Sequence, residues 1–259
     1  MRTSGSTGER LTIAQDWKCR ETLGGLAPRI LNGIKIDPVD RTVHIYRAEP
    51  GGKQRKTSRY SATRLAAMYN HVRYASYLLG LRTRSLFLDD PNELAKDVLR
   101  LLPSLIIGNP SYLREMVKCL RRSPRGLKAV YSTADPLSES DRAFLMSAFD
   151  CPVYDVYGAR EVGIVSWQCS DCSPGLMHLN METVVTELVR GEVVAGLGET
   201  GDIVLTTLYN RAMPLIRYRI GDKSLQTDER CSCGRGLPLL RSVERASTIT
   251  PDTVMDRRA

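Results

Sequence analysis

The chain has 259 residues, 42% of them hydrophobic, with 37 Lys and Arg against 29 Asp and Glu, a formal net charge of +8. That is enough for one large or two modest domains around a substantial core, and no run approaches the roughly 20 apolar residues of a bilayer span. The positive charge is mostly arginine scattered along the chain, in clusters no longer than Arg121-Arg122 or Arg257-Arg258. Few aromatics are available to stack bases, so a nucleic-acid partner is not expected.

Residues 3–8 read Thr3-Ser4-Gly5-Ser6-Thr7-Gly8. Glycines let backbone N–H groups approach phosphate oxygens, and hydroxyls add further donors, so this composition suits a nucleoside polyphosphate. A polar, frayed terminus is the plainer reading of the same residues. The loop lacks the Gly-Lys-Ser/Thr ending of a Walker loop. A polar start is not a secretory signal, so a cytoplasmic protein without a membrane partner is expected.

Residues 47–60 are polar and basic and read as a loop. Residues 62–80 place Leu65, Met68, Tyr69, Val72, Ala75 and Leu79 at helical spacing, with Gly80 as a stop. A second helical pattern covers 93–102, and Leu105-Ile106-Ile107 is a short, wholly apolar strand. Asn109 and Pro110 offer a cap and a first-turn proline for a helix to about Arg122. Leu127 to Tyr131 predicts a strand. Ser138 with Asp141 resembles a capping box opening a helix to about Phe149, and Val153 to Val156 predicts another strand. Strand and helix alternating over short links imply parallel strands with right-handed crossovers.

Beyond Val156 the pattern turns β-rich: Thr183–Val189, Glu192–Ala195, Ile203–Leu208 and Leu215–Ile220, with a turn at Gly198-Glu199-Thr200-Gly201-Asp202. The expected fold class is α/β: an open, largely parallel sheet flanked by helices, plus a smaller β-rich subdomain. The expected division is 1–165, 166–245 and a tail over 246–259. Ligands in open α/β sheets gather beyond the carboxyl ends of strands. Tyr157-Gly158-Ala159-Arg160-Glu161 falls at such an end.

Seven cysteines make an odd set. Cys169 and Cys172 form a CxxC, and Cys231 and Cys233 a CxC; two short knuckles of this kind can close a tetrahedral zinc site. His178 is a spare ligand, and free thiols or a redox pair are the alternatives. Cys19, Cys119 and Cys151 stand alone and read as packing residues.

Four motifs fall in one order: the loop at 3–8, Tyr157-Gly158-Ala159-Arg160-Glu161, Gly198-Glu199-Thr200-Gly201-Asp202, and Arg217-Tyr218-Arg219-Ile220-Gly221-Asp222. Together they resemble the adenylate-forming (acyl-CoA synthetase) superfamily. Pro214-Leu215-Ile216-Arg217-Tyr218-Arg219, followed by Cys231-Ser232-Cys233-Gly234-Arg235, resembles its phenylacetate–CoA ligase and capsular-polysaccharide-type branch. The resemblance implies that a carboxylic acid attacks the α-phosphate of ATP to give an acyl adenylate, and that coenzyme A, as co-substrate, takes the acyl group. It implies that Ser4, Gly5, Ser6, Thr7 and Gly8 hold the β- and γ-phosphates, that Tyr157 stacks on adenine with Gly158 beside it in the nucleotide site, that Glu161 is catalytic through Mg²⁺, and that Asp222 binds the ribose hydroxyls. A strand-end turn with a solvated ion pair, and a Gly-Asp turn closing a strand, are the structural alternatives for Glu161 and Asp222. Arg217 and Arg219 read as structural or substrate-facing.

The chain departs from the pattern at Glu9, where a loop lysine is expected, with Arg10 as a substitute counter-charge, and at Arg160, where a threonine is expected. Against the family the chain reads as cut at both ends, without the strands before the phosphate loop and without the small C-terminal domain and its lysine. The expectation is an impaired ligase, completed by a complementing chain or a homodimer. The alternative is a non-catalytic remnant that binds nucleotide or a partner around structural zinc.

Overall fold

The computed structural model describes residues 12–37, 40–47, 84–88 and 90–244. Ser4, Gly5, Ser6, Thr7 and Gly8, the expected helix over 62–80 and the tail over 246–259 lie outside them. The chain divides into two compact units: Pro28–Thr133 with Leu137–Asp155, and Met1–Ala27 with Ala134–Pro136 and Val156–Ala259. The expected boundary at 165/166 falls inside a strand, β6 below.

The first helices of the described residues are α1 (Trp17–Gly25) and α2 (Ala27–Gly33). The Asp16 carboxylate caps α1 by accepting from Cys19 N at 2.8 Å, and also accepts from Arg211 N at 2.8 Å. Its charge thereby satisfies two backbone donors distant in sequence.

The first unit is α/β. It contains β1 (Thr42–Arg47), β2 (Arg84–Leu88), α3 (Pro91–Leu101), β3 (Leu105–Gly108), α4 (Pro110–Cys119), β4 (Ala129–Thr133) and α5 (Glu139–Phe149). The order β2-β1-β3-β4 is parallel throughout. β3 needs no polar alternation because both its faces are covered, as in parallel sheets generally. Val43, Ile106, Val130, Leu113, Met116 and Leu145 form the core. The local signals operate as anticipated. Asn109 Oδ1 accepts from Ser111 N at 2.9 Å with Pro110 in the first turn, and Ser138 Oγ accepts from Asp141 N at 3.0 Å. α4 stops at Cys119, before the expected Arg122, where Leu120 turns extended.

The second unit is antiparallel. β5 (Val153–Ala159) begins in the first unit and continues into this one. It is followed by β6 (Gly163–Trp167), β7 (Leu176–Leu179), β8 (Val184–Arg190), β9 (Val193–Val194), β10 (Thr200–Thr207), β11 (Tyr218–Gln226) and β12 (Leu239–Glu244). The spatial order is β5-β6-β7-β12-β11-β10-β8-β9. Tyr157, Val165, Leu188, Ile203 and Leu205 are central to its core. Two strands outrun their expected ends: β5 continues through Ala159, and β11 runs through Gly221 and Asp222 to Gln226. Among the described residues no helix is long and apolar enough to cross a membrane.

Candidate active site

The Tyr157–Glu161 segment forms the end of β5 and its turn into β6. The ladder slips by a residue between Tyr157 and Gly158. Gly158 then lies so close to β6 that a Cβ would sit 2.5 Å from the Gly163 carbonyl oxygen. Only a glycine lets the two backbones approach this far. The turn closes with Val162 N donating to Ala159 O at 3.3 Å. Glu161 is held in that turn at 9% exposure.

Asp222 is placed by a second irregularity. β11 pairs with β10 at Arg219↔Val204 and Lys223↔Asp202. Three residues, Ile220, Gly221 and Asp222, therefore face the single residue Ile203. Gly221 absorbs the excess at φ +93°. A bulge of this kind re-aims a side chain that a regular ladder would fix by alternation.

The two irregularities bring together residues 65 positions apart: the Tyr157 hydroxyl donates to Asp222 Oδ2 at 2.7 Å. This is a charge-assisted bond that holds the carboxylate in one orientation. Burial, then the charges of Glu161 and Asp222, push the Tyr218 phenol above its ordinary range. Both acids thus act on the Tyr218 side chain. The arrangement offers carboxylate oxygens to a diol or to a hard cation. Tyr157 is 1% exposed and packs into the core of this unit, with its hydroxyl on Asp222.

Other sequence candidates are placed elsewhere. Arg160 is exposed, and its carbonyl accepts from Gln15 Nε2 at 3.4 Å. Glu199, in the Gly-Glu turn, accepts from Gly196 N at 2.9 Å and pairs with Arg190 at 2.8 Å; it shapes the turn into β10. Arg217 pairs with Glu187 at 3.3 Å and Arg219 with Asp202 at 3.0 Å. These are exposed ion pairs on the strands, each contributing about 0–1 kcal/mol.

The thiols form a second cluster within the same unit. Cys169 Sγ lies 3.6 Å from Cys172 Sγ and 3.6 Å from Cys231 Sγ, and Cys172 and Cys231 are 3.7 Å apart. Cys233 Sγ is 3.4 Å from His178 Nε2. The ligand atoms of Cys169, His178, Cys231 and Cys233 all lie within 4.8 Å of one another. Cys19 is raised by burial and Cys151 is pushed up to about 12, chiefly by burial, as suits inert packing thiols. The Tyr157–Asp222 bond had no signal in the sequence; His178 had one only in its proximity to the CxxC.

No family model matches the chain. In sequence it is similar to the phenylacetate–coenzyme A ligase of Thermus thermophilus, 32% identical over 142 residues that cover 51% of this chain and 32% of that protein. It is also similar to the phenylacetate–coenzyme A ligase of Aromatoleum evansii, 27% identical over 158 residues, 57% of this chain and 33% of that protein. In structure it resembles 2-hydroxyisobutyryl-CoA ligase in complex with 2-HIB-AMP and CoA, with a TM-score of 0.69, 20% identity, and 94% of this chain covering 52% of that one. It resembles the O-succinylbenzoate coenzyme A synthetase of Bacillus subtilis in complex with AMP at a TM-score of 0.63 and 16% identity, 95% of this chain covering 48% of that one. The chain spans about half the length of these solved structures, and its matched part about a third of the curated relatives. The chain has the fold of the adenylate-forming acyl-CoA ligases and is a relative in sequence of the phenylacetate–CoA ligases, the branch its motifs resemble.

Proposed function

We propose that this chain handles the nucleotide in an enzyme that activates a small-molecule carboxylic acid with ATP and passes the acyl group to a thiol, coenzyme A by likeness to its relatives. A carboxylate oxygen of the acid attacks the α-phosphorus. The bond to the β-phosphate breaks, and pyrophosphate leaves the acyl adenylate. The thiol sulfur then attacks the acyl carbon and AMP departs.

The observation that carries the reading is the Tyr157–Asp222 hydrogen bond, with the Glu161 charge acting on Tyr218 as Asp222's does. Asp222 has two carboxylate oxygens, matching the vicinal hydroxyls of a ribose. Tyr157 occupies one side of that carboxylate, so the sugar meets an acid already oriented. Glu161 fits a hard cation: it is a nearly buried carboxylate whose charge reaches the same tyrosine as that of Asp222. Mg²⁺ held there would neutralise charge on the departing pyrophosphate. Ser4, Gly5, Ser6, Thr7 and Gly8 remain the proposed phosphate loop, with Arg10 as counter-charge.

Calorimetric titration with Mg·ATP tests this. Asp222→Ala should weaken binding roughly 10- to 100-fold, as expected for losing charged hydrogen bonds of about 1.5–3 kcal/mol. Glu161→Ala should weaken Mg·ATP more than metal-free ATP. Unchanged affinity in both variants would sink the site. A second reading, nucleotide binding without turnover around structural metal, is favoured by the thiol cluster, which shares no residue with the carboxylate site. It predicts normal ATP affinity without exchange of labelled pyrophosphate into ATP for any acid.

A further inference from the structure

We propose that Cys169, His178, Cys231 and Cys233 hold one zinc ion, with three thiolates and one imidazole, and that Cys172 stands beside it as an uncoordinated thiol. An ion about 2.3 Å from sulfur and about 2.0–2.1 Å from nitrogen sets tetrahedral ligands roughly 3.8 Å (S to S) and roughly 3.5 Å (S to N) apart. Cys169–Cys231 at 3.6 Å and Cys233–His178 at 3.4 Å match these edges; the Cys172 sulfur contacts at 3.6 and 3.7 Å match the S–S edge too, and it is the mutual closeness of all four donors that singles out the other set. The first two contacts share no atom, so they are opposite edges of one tetrahedron. The four donors are mutually within 4.8 Å, and Cys172 does not join that set despite its contacts with Cys169 and Cys231.

Each ligand is held by its own local structure. Asp171 N donates to Cys169 Sγ at 3.4 Å and Cys172 N to Cys169 O at 3.2 Å, a tight turn just after β6 that presents the Cys169 sulfur. His178 is in register with Trp167 of β6 and Leu239 of β12, and its ring lies 5.1 Å from that of Trp167. Cys231 and Cys233 lie on the β11–β12 connection, where Gly234 adopts φ +73°. His178 and Cys169 are 1% exposed, so the ion would be nearly enclosed.

Charge favours three thiolates over four. Zn²⁺ with three thiolates and a neutral imidazole carries −1. The Arg235 guanidinium, two residues from Cys233 and 5.7 Å over the Trp167 ring that packs on His178, supplies a nearby +1. A fourth thiolate would add a second negative charge in a half-buried place, where an unpaired charge is costly. Soft sulfur donors with one imidazole in a tetrahedron select zinc over hard cations. With every position taken by protein the site is structural. It fastens the β11–β12 connection to β6 and β7, and it does not depend on the nucleotide reading.

The test uses the full chain. Metal analysis after purification, or after refolding with Zn²⁺, should find about one zinc per chain. X-ray absorption at the zinc edge should find three sulfurs and one nitrogen. Cys172→Ser should keep its zinc, whereas Cys231→Ser and His178→Ala should lose it. A strong chelator should lower the melting temperature by at least roughly 5 °C. Four sulfurs at the zinc, zinc lost from Cys172→Ser but kept by His178→Ala, or no zinc at all would each overturn the proposal. If a ligand variant fails to fold, the absorption spectrum of the unaltered chain still decides.

Discussion

Gly158→Ala isolates the geometry on which the carboxylate site depends. Elsewhere a glycine-to-alanine change stabilises by about 0.4–1 kcal/mol, because the unfolded chain loses freedom, provided the native backbone accepts a side chain. The φ of Gly158 is not in the left-handed region, so backbone preference alone would favour alanine. Space opposes it. The new Cβ would lie 2.5 Å from the Gly163 carbonyl oxygen, 3.0 Å from Ile164 Cα and 3.2 Å from the Gly163 carbonyl carbon. All three are backbone atoms, so no side chain can swing away. The β5–β6 hairpin must open by roughly 0.7 Å to restore an ordinary contact, and forcing atoms into a packed interior costs about 1–3 kcal/mol. The net sign is destabilising, a fall in melting temperature of roughly 3–10 °C. Trp17 and Trp167 both belong to this unit, so urea unfolding followed by tryptophan fluorescence reports it alone. Since Tyr157 and Glu161 flank the opened hairpin, ATP affinity should fall as well. A variant as stable as the parent, or more so, would refute the claimed approach of the two strands.

Tyr157→Phe keeps the ring in the core but removes the donor at 2.7 Å from Asp222. It should cost about 1.5–3 kcal/mol between stability and ATP binding, read by urea titration and calorimetry on the same preparation. Asp141→Asn should lower stability by about 1 kcal/mol, since this acid accepts from the capping Ser138 hydroxyl and pairs with Arg114. The Arg114 hydrogen bond, then Ser138, hold the Asp141 carboxyl below its ordinary value of 3.8. A depressed carboxylate gives its stability above the unfolded value and loses it as pH falls through the folded one. Chemical denaturation of parent and variant should therefore converge below about pH 4; an unchanged gap at low pH would discount the ion pair.

What the sequence made legible was local. Asn109-Pro110 and Ser138 with Asp141 announce helix starts because a cap bonds only to its own first turn. Leu105-Ile106-Ile107 announces a strand because its two-sided burial requires no polar residue. Gly158 and Gly221 misled for one shared reason. A glycine near a strand end reads as a turn, and only the partner strand shows that it is a bulge or a close approach with the strand continuing. The place of β12 between β7 and β11 is equally non-local. His178 joins the thiols because β7 pairs with β12 and β6, a register that spacing along the chain cannot express.

The carboxylate site is built where the antiparallel ladders break. A strand of strict alternation can offer an acid to the core or to solvent, but not at the angle between them. The slip at Tyr157–Gly158 lets β5 turn Glu161 inward behind a tyrosine that stays in the core. The three-against-one bulge of β11 brings Asp222 to that tyrosine's hydroxyl. Each break forgoes regular ladder pairing and gathers like charges, so neither improves stability by itself. Local departures from the rules that otherwise specify a fold are expected where function requires them. Here two such departures, on strands not adjacent in the sheet, converge on a single hydrogen bond. The β5–β6 ladder skips Val165 of β6 beside Tyr157, and β11 bulges beside Asp222, so the two irregularities flank the one hydrogen bond. The proposed nucleotide, whose sugar and metal would need fixed carboxylates, would supply a reason for both.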